Sequence, residues 1–205
     1  MKVLILNGSP RKNGNTTILL DEACKVFEKE NIEYKIIEVG QKNIRGCMGC
    51  GYCSTHDECA IKDEVNEANA YLKDADGILI ASPVYYASPN GTLISFLDRL
   101  FYSCSFDLRM KVGAAFAVAR RGGTEATFDV LNKYFTISQM PIAAGKYWNN
   151  GFGGAKGQIS EDKEGLQNAR VVAKNMVFLM KSIALGKEQF GLPEDEQKIF
   201  TSFIR

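Results

Sequence analysis

The sequence has no long hydrophobic run and no excess of charge of one sign. Its longest apolar runs have the length of strands and fall far short of the about 20 residues that a membrane-spanning helix needs. The 25 Lys and Arg residues nearly balance the 24 Asp and Glu residues, so we expect neither nucleic acid nor a membrane surface as a partner. An apolar strand pattern begins directly after Met1 and Lys2, which leaves no stretch for a signal peptide. These absences predict a cytoplasmic protein.

Linkers, repeats and low-complexity segments are also missing from the 205 residues. Short apolar segments alternate with amphipathic segments of helical spacing. The predicted strands are residues 3–6, 34–39, 77–81, 112–118 and 142–144. The predicted helices begin after Thr17 and cover residues 63–73, 93–100, 124–135 and 161–184. This alternation predicts one α/β domain over residues 1–205, with a doubly wound five-stranded parallel sheet and helices on both faces.

Residues 7–17 form a polar loop between the first predicted strand and the first predicted helix. The first amides of a helix lack intrahelical partners and point outward at the positive end of the helix dipole, which makes such a loop an anion site. Hydrogen-bond donors come from the side chains of Ser9, Asn15, Thr16 and Thr17, and positive charge comes from Arg11 and Lys12. The loop therefore predicts a phosphate site. An ordinary capped loop is the simpler alternative, but it needs fewer donors and cations than occur here.

The kind of phosphate follows from two motifs that the loop lacks. Neither the nucleotide-triphosphate loop nor the Gly-x-Gly-x-x-Gly fingerprint occurs here, which leaves a monophosphate at the first loop of a flavodoxin-like fold. Residues 8–16 read Gly-Ser-Pro-Arg-Lys-Asn-Gly-Asn-Thr and resemble the phosphate loop of the FMN-dependent NAD(P)H oxidoreductases, a flavodoxin-like family that includes the iron–sulfur flavoproteins. The resemblance implies an FMN cofactor. The implied phosphate ligands are Ser9, Arg11, Asn15, Thr16 and Thr17.

A second loop, residues 83–91, follows the third predicted strand and should meet the phosphate loop at the carboxyl edge of the sheet. Its adjacent tyrosines offer flat faces with polar tips, which suit a flavin ring. Residues 83–99 resemble the ring loop and following helix of the same family, and that helix carries Asp98 and Arg99, which we expect to be structural. The resemblance implies that the ring is lined by Pro83, Val84, Tyr85 and Tyr86.

The fourth predicted strand ends in a third loop, with Arg120, Gly122 and Gly123. Backbone amides at the two glycines can approach a ligand closely, and amides or cations there can stabilise negative charge on a reduced flavin. A glycine-assisted turn before an N-capping Thr124 would explain the same residues. The family resemblance favours the flavin.

Four cysteines occur close together within residues 44–61, namely Cys47, Cys50, Cys53 and Cys59. Their compact spacing is typical of thiolate ligands to an iron–sulfur cluster, and it resembles the motif of the iron–sulfur flavoproteins, which implies a four-iron, four-sulfur cluster. Zinc is less natural at this spacing. A reduced thiol loop beside the flavin or at a subunit interface is the alternative. The single histidine, His56, is expected to be an exposed loop residue, and Cys24 and Cys104 to be buried in helices.

The C-terminal third has two unusual segments. Residues 146–157 contain the only Trp and several glycines, which fits a mobile lid over the flavin or a long surface loop equally well. The segment 187–205 ends in an apolar stretch, which predicts a tail that docks on its own domain or on a partner subunit. The family resemblance implies a homodimer or a homotetramer.

Together these residues predict an FMN-binding oxidoreductase that takes hydride from NAD(P)H and reduces a small-molecule or protein electron acceptor, with the cluster as a further carrier. No general acid or base is predicted, because the redox chemistry belongs to the cofactor. One alternative is an electron-carrier iron–sulfur flavoprotein that accepts electrons from a ferredoxin-like donor without reacting with NAD(P)H. Another is a thiol-based redox sensor without flavin. The preference between NADH and NADPH has no motif here.

Overall fold

The computed structural model describes residues 1–203, and its centre is a six-stranded sheet. The strands are β1 (Lys2–Asn7), β2 (Glu33–Ile37), β3 (Gly77–Tyr85), β4 (Ser88–Pro89), β5 (Val112–Ala119) and β6 (Asn150–Phe152). The helices are α1 (Asn15–Lys29), α2 (Glu64–Asp74), α3 (Gly91–Ser103), α4 (Thr124–Ile137) and α5 (Lys163–Phe190). Short 3-10 turns cover Val39–Gln41, Tyr52–Ser54 and Gln158–Glu161.

The strand order is β2-β1-β3-β5-β6, with all of these neighbours parallel. Only β4 is antiparallel, and it forms a hairpin with the end of β3. From β1 the chain first moves outward to β2 and then returns to build the other half of the sheet from β3. The order therefore reverses between β1 and β3, which is the crevice where flavodoxin-like sheets bind ligands. This arrangement confirms the predicted doubly wound parallel sheet.

Helices cover both faces of the sheet, and β1 shows how one strand serves two cores. Val3 and Ile5 face the core that α1 and α5 cover, whereas Leu4 and Leu6 face the core of α2, α3 and α4. All four residues are fully buried, which explains their continuous apolar run. None of the helices within residues 1–203 has the length and apolar character needed to cross a membrane.

The outermost parallel strand is not where the sequence predicts it. The predicted segment 142–144 contributes only one bridge, from Ile142 to Gly113. The strand that completes the sheet is β6, which pairs with Ala117–Ala119 of β5. The prediction was wrong because Asn150 and Gly151 carry no apolar signal. Their position comes from tertiary contacts such as the 2.8 Å bond from the Phe152 amide to Asp162 Oδ2.

The predicted docking tail begins as helix and continues, up to residue 203, without regular secondary structure. Helix α5 continues to Phe190, and Gly191, with a φ of +75°, follows it in a conformation that favours glycine. Beyond it the apolar side chains of Ile199, Phe200 and Phe203 are exposed, whereas Asp195 pairs with Arg109 of the domain at 3.2 Å. Docking of the apolar tail on its own domain or on a partner subunit stays a prediction. Two residues of the predicted tail, Ile204 and Arg205, lie outside the described residues.

Candidate functional site

A pocket of about 230 Å³ lies at the carboxyl ends of β1, β3 and β5, where the strand order reverses. The predicted residues that line it are Ser9, Arg11, Asn15, Thr16, Pro83, Val84, Tyr85 and Arg120. The lining residues that were not predicted as ligands are Gly14, Val118, Ala119, Gly153, Gly154 and Lys156. We call this the first pocket. It brings together all three loops that the sequence singles out.

One end of the first pocket is suited to an anion. Helix α1 begins there with Gly14 as its N-cap, no side chain caps it, and no acidic residue lies in its first turn. Its first amides are therefore free of side-chain partners. The charged residues of the described lining are Arg11, Arg120 and Lys156, all cations. Free helix amides and three cations without a carboxylate fit a phosphate group.

The phosphate loop is shaped by Asn7, a fully buried residue at the end of β1. Asn7 Oδ1 accepts a bond of 3.0 Å from the Ser9 amide, and Asn7 Nδ2 donates to Glu38 Oε2 at 2.9 Å. Asn7 Nδ2 also donates to Thr17 Oγ1 at 3.1 Å. Thr17 therefore supports the loop from behind and lies outside the pocket lining. Sequence reasoning missed Asn7 because its partners lie up to 31 residues away.

Asn15 joins the phosphate loop to the glycine-rich segment 146–157. Its Nδ2 donates to the carbonyl oxygens of Gly153 and Ala155 at 2.9 and 3.0 Å. A Cβ on Gly153 would lie 2.8 Å from that same nitrogen, so glycine is needed for the close approach. The segment forms one wall of the first pocket, and its motion as a lid stays a prediction.

The flat wall of the pocket comes from the β3–β4 hairpin. Tyr86 and Ala87 form its two-residue turn and have φ values of 51° and 55°, a left-handed conformation that is uncommon for side chains other than Gly and Asn. Pro83, Val84 and Tyr85 line the pocket. Tyr86, at the tip of the turn, is fully exposed and lies outside the lining, unlike the prediction.

Of the two glycines after β5, only Gly123 packs closely against the hairpin, and neither glycine is part of the lining. Gly123 has a φ of +90°, and a Cβ there would lie 2.9 Å from Ala87 Cα. Gly122 is exposed. This matches the alternative of a glycine-assisted turn, although Gly123 rather than Thr124 is the N-cap of α4, and no side-chain bond caps it.

All four clustered cysteines line a second pocket of about 130 Å³ between their loop and α3. Cys47 and Cys50 are exposed, and Cys53 and Cys59 are partly buried. Within residues 1–203, no three Cys, His, Asp or Glu side chains form a group that could hold a metal ion. Four thiols on one pocket are nevertheless the donor set of an iron–sulfur cluster.

The cysteine segment turns sharply at two glycines, and its histidine lies outside the second pocket. Gly49 and Gly51 have positive φ values of 63° and 71°, which let the chain turn sharply between cysteines. The Gly49 amide donates to Cys47 Sγ at 3.5 Å. His56 stacks on Tyr52 with ring centroids 3.8 Å apart and does not line the second pocket.

The other two cysteines have no place in either pocket. Cys24 is buried and Cys104 is partly buried. Burial raises the pKa of each thiol to about 12, so both stay protonated and unreactive at neutral pH.

Residues 1–155 match the family described as NADPH-dependent FMN reductase. The chain is 37% identical over 191 residues to an iron–sulfur flavoprotein of Methanocaldococcus jannaschii, covering 89% of this chain and 99% of that protein. Among solved structures it resembles an NAD(P)H:quinone oxidoreductase of Methanothermobacter marburgensis, with a TM-score of 0.63, 16% identity and coverage of 86% and 96%. It also resembles an archaeal flavodoxin, with a TM-score of 0.55, 16% identity and coverage of 85% and 99%.

Proposed function

The chain belongs to the NADPH-dependent FMN reductase family, and from this premise we propose that it takes hydride from NAD(P)H on an FMN bound in the first pocket and reduces a second acceptor. The observation that carries the proposal is the pairing, in one pocket, of an anion site at α1 with the flat wall of the β3–β4 hairpin. FMN has a phosphate at one end and a planar ring at the other, so its binding site needs both an anion site and a flat wall.

The protein's part in this reaction is binding and electrostatics. When bound, FMN supplies hydride acceptance and electron release. The first amides of α1 and the cations Arg11 and Lys156 hold the phosphate. Pro83 and Tyr85 place an apolar wall against the ring and exclude water from that side. Arg120 supplies positive charge at the pocket edge, which favours the negative charge that reduction brings.

We also propose that the second pocket holds an iron–sulfur cluster through Cys47, Cys50, Cys53 and Cys59. The support is the shared pocket of the four thiols and the name of the Methanocaldococcus relative. A cluster spreads its ligands over several irons, so its thiolates need not converge on one ion. When bound, it supplies transfer of single electrons.

A second candidate function, that of an electron carrier, follows from the second pocket. If the cluster exchanges electrons with a protein donor, the chain is an electron carrier and does not react with NAD(P)H directly. The exposure of Cys47 and Cys50 favours this candidate, because it leaves the second pocket open to a partner. The acceptor in the first candidate is a small molecule or a protein.

The deciding experiment starts from protein purified without oxygen. FMN, iron and acid-labile sulfide are measured per chain, and NADPH or NADH is then added in a sealed cuvette. Rapid bleaching of the flavin absorbance supports the reductase. A cluster and flavin without bleaching by either nucleotide would leave the electron carrier. Protein that holds no flavin after reconstitution would overturn both and favour a thiol-based sensor.

The assembly is proposed to be a homodimer or a homotetramer. The exposed apolar side chains of Ile199, Phe200 and Phe203 support a contact between subunits. Light scattering on the full chain and on a chain that ends at residue 190 tests it, since loss of the tail should lower the mass to that of a monomer. An unchanged oligomer would show that the tail is not the contact.

A further inference from the structure

Arg99 is a buried cation on the face of α3 that borders the second pocket. Its side chain is 1% exposed, and a buried charge is costly unless its donors are satisfied. Nη1 and Nη2 donate to the Asp63 carboxylate at 2.6 and 2.8 Å. They also donate to the carbonyl oxygens of Arg45 and Ile61 at 3.2 and 3.0 Å. The remaining donor, Nε, points at Cys59 Sγ, 3.3 Å away.

The position of Cys59 is fixed from both sides. Asn66 of α2 accepts from the Cys59 amide at 2.9 Å and donates to the Cys59 carbonyl at 3.0 Å. The sulfur is thus held between two helices, with the guanidinium on one of them. Among the side chains of residues 1–203, only Arg99 donates to any of the four sulfurs.

We propose that Arg99 is a positioning residue that raises the reduction potential of the iron–sulfur cluster through the bond from Nε to Cys59 Sγ. This inference rests on the proposed cluster. Reduction adds one electron and makes the ligand sulfurs more negative. A positive donor on one sulfur stabilises the reduced form more than the oxidised form. Asp63 balances the overall charge of Arg99, but the Nε–H group is directed at the sulfur alone.

The test compares Arg99→Lys with Arg109→Lys, a matched control. Arg109 also pairs with carboxylates, Asp107 and Asp195, but lines a different cavity. Lysine keeps the charge and loses the fixed fork of donors. In a redox titration followed by electron paramagnetic resonance, Arg99→Lys should lower the equilibrium constant for reduction about tenfold, which for one electron is about 59 mV. Arg109→Lys should match the wild type.

An unchanged potential in Arg99→Lys with full iron content would overturn the role of Arg99 and leave the cluster proposal intact. Wild-type protein without iron would overturn the cluster proposal, and the role of Arg99 with it. These two failures are therefore distinguishable by the iron assay.

A measurement on the wild type covers the case in which Arg99→Lys does not fold. Protein labelled with ¹⁵N only in the arginine guanidino groups is reduced, and the nuclear coupling to the reduced cluster is recorded. We expect a ¹⁵N coupling in the wild type, and the same coupling in labelled Arg109→Lys. Its absence in reduced wild type would overturn the inference.

Discussion

The side-chain nitrogen of Asn15 lies 2.9 Å from the carbonyl oxygen of Gly153, and this bond joins two parts of the chain that are 138 residues apart. Asn15 is the first residue of α1 at the anion end of the first pocket, and Gly153 belongs to the glycine-rich segment that forms a neighbouring part of the lining. The pocket therefore depends on a contact that neither segment forms alone.

Replacing Asn15 tests that dependence. Asn15→Ala removes two bonds to backbone carbonyls and should lower the free energy of unfolding by about 1–2 kcal/mol. It should also weaken FMN binding, because the wall at Gly153 loses its anchor. Chemical denaturation and flavin fluorescence measure the two effects. Asn175→Ala removes a bond to the Ala144 carbonyl on the exposed side of α5 and should leave FMN affinity unchanged.

The positive charge of the first pocket is tested with two neighbouring arginines. Arg120 lines the pocket and Arg121 does not, although both are exposed. Arg120→Gln should raise the Kd for FMN about tenfold, since it removes one of the three cations that line the pocket around the anionic cofactor. Arg121→Gln should change it much less, and the gap should shrink at high salt. Equal losses in both variants would show that only the net charge matters.

Variants of the two adjacent tyrosines test which part of the hairpin contacts the flavin ring. Tyr85 lines the pocket and Tyr86 is fully exposed at the hairpin tip. Tyr85→Ala should raise the Kd for FMN about tenfold through loss of an aromatic contact, and Tyr86→Ala should leave it near the wild-type value. Fluorescence titration of apoprotein with FMN measures both. A larger rise in the Kd for Tyr86→Ala than for Tyr85→Ala would show that Tyr86, rather than Tyr85, contacts the flavin ring.

The carboxyl group of Glu38 predicts a pH dependence of stability. Burial raises its pKa, although Asn7 donates to it. A carboxyl whose pKa is higher in the folded state than in the unfolded state destabilises the fold when it ionises. The contribution of Glu38 to the free energy of unfolding therefore falls as the pH rises from about 4.5 through the folded pKa. Glu38→Gln keeps an oxygen for Asn7 and should raise the free energy of unfolding at pH 7 but not at pH 4.

Glu30 serves as the control of opposite sign. The hydrogen bond from Lys181 lowers the pKa of Glu30, so its contribution to stability is present above about pH 4.5 and is lost as the pH falls. Glu30→Gln should therefore lower stability slightly at pH 7. Denaturation curves for both variants at both pH values decide whether the two signs differ.

Local patterns carried most of the fold and the anion end of the site. Val3 and Ile5 could be assigned to a buried strand because burial on both faces leaves a continuous apolar run. Arg11 and Thr16 could be assigned to the pocket because a loop that enters a helix has a known geometry. These are interactions between neighbours in sequence, and the sequence displays them directly.

The features that sequence reasoning missed depend on contacts between distant segments. Nothing in the residues around Gly153 indicates that Asn15 will bind its carbonyl. Strand β6 has no apolar pattern that would predict it, since it is tertiary contacts that hold it in place. Which of Tyr85 and Tyr86 lines the pocket depends on a two-residue turn at Tyr86 and Ala87. This turn has a left-handed conformation, for which Tyr and Ala are unusual residues, so the sequence does not predict it.

Helix α3 connects the surroundings of both pockets. At its start, Asn90 Nδ2 donates to the carbonyl of Gly8 in the phosphate loop at 2.9 Å, and nine residues later Arg99 donates to Cys59. This spacing is about 13.5 Å along the helix axis. If a ligand in the first pocket changes the affinity of the second pocket through this helix, thermodynamic reciprocity requires a ligand in the second pocket to change the affinity of the first by the same factor.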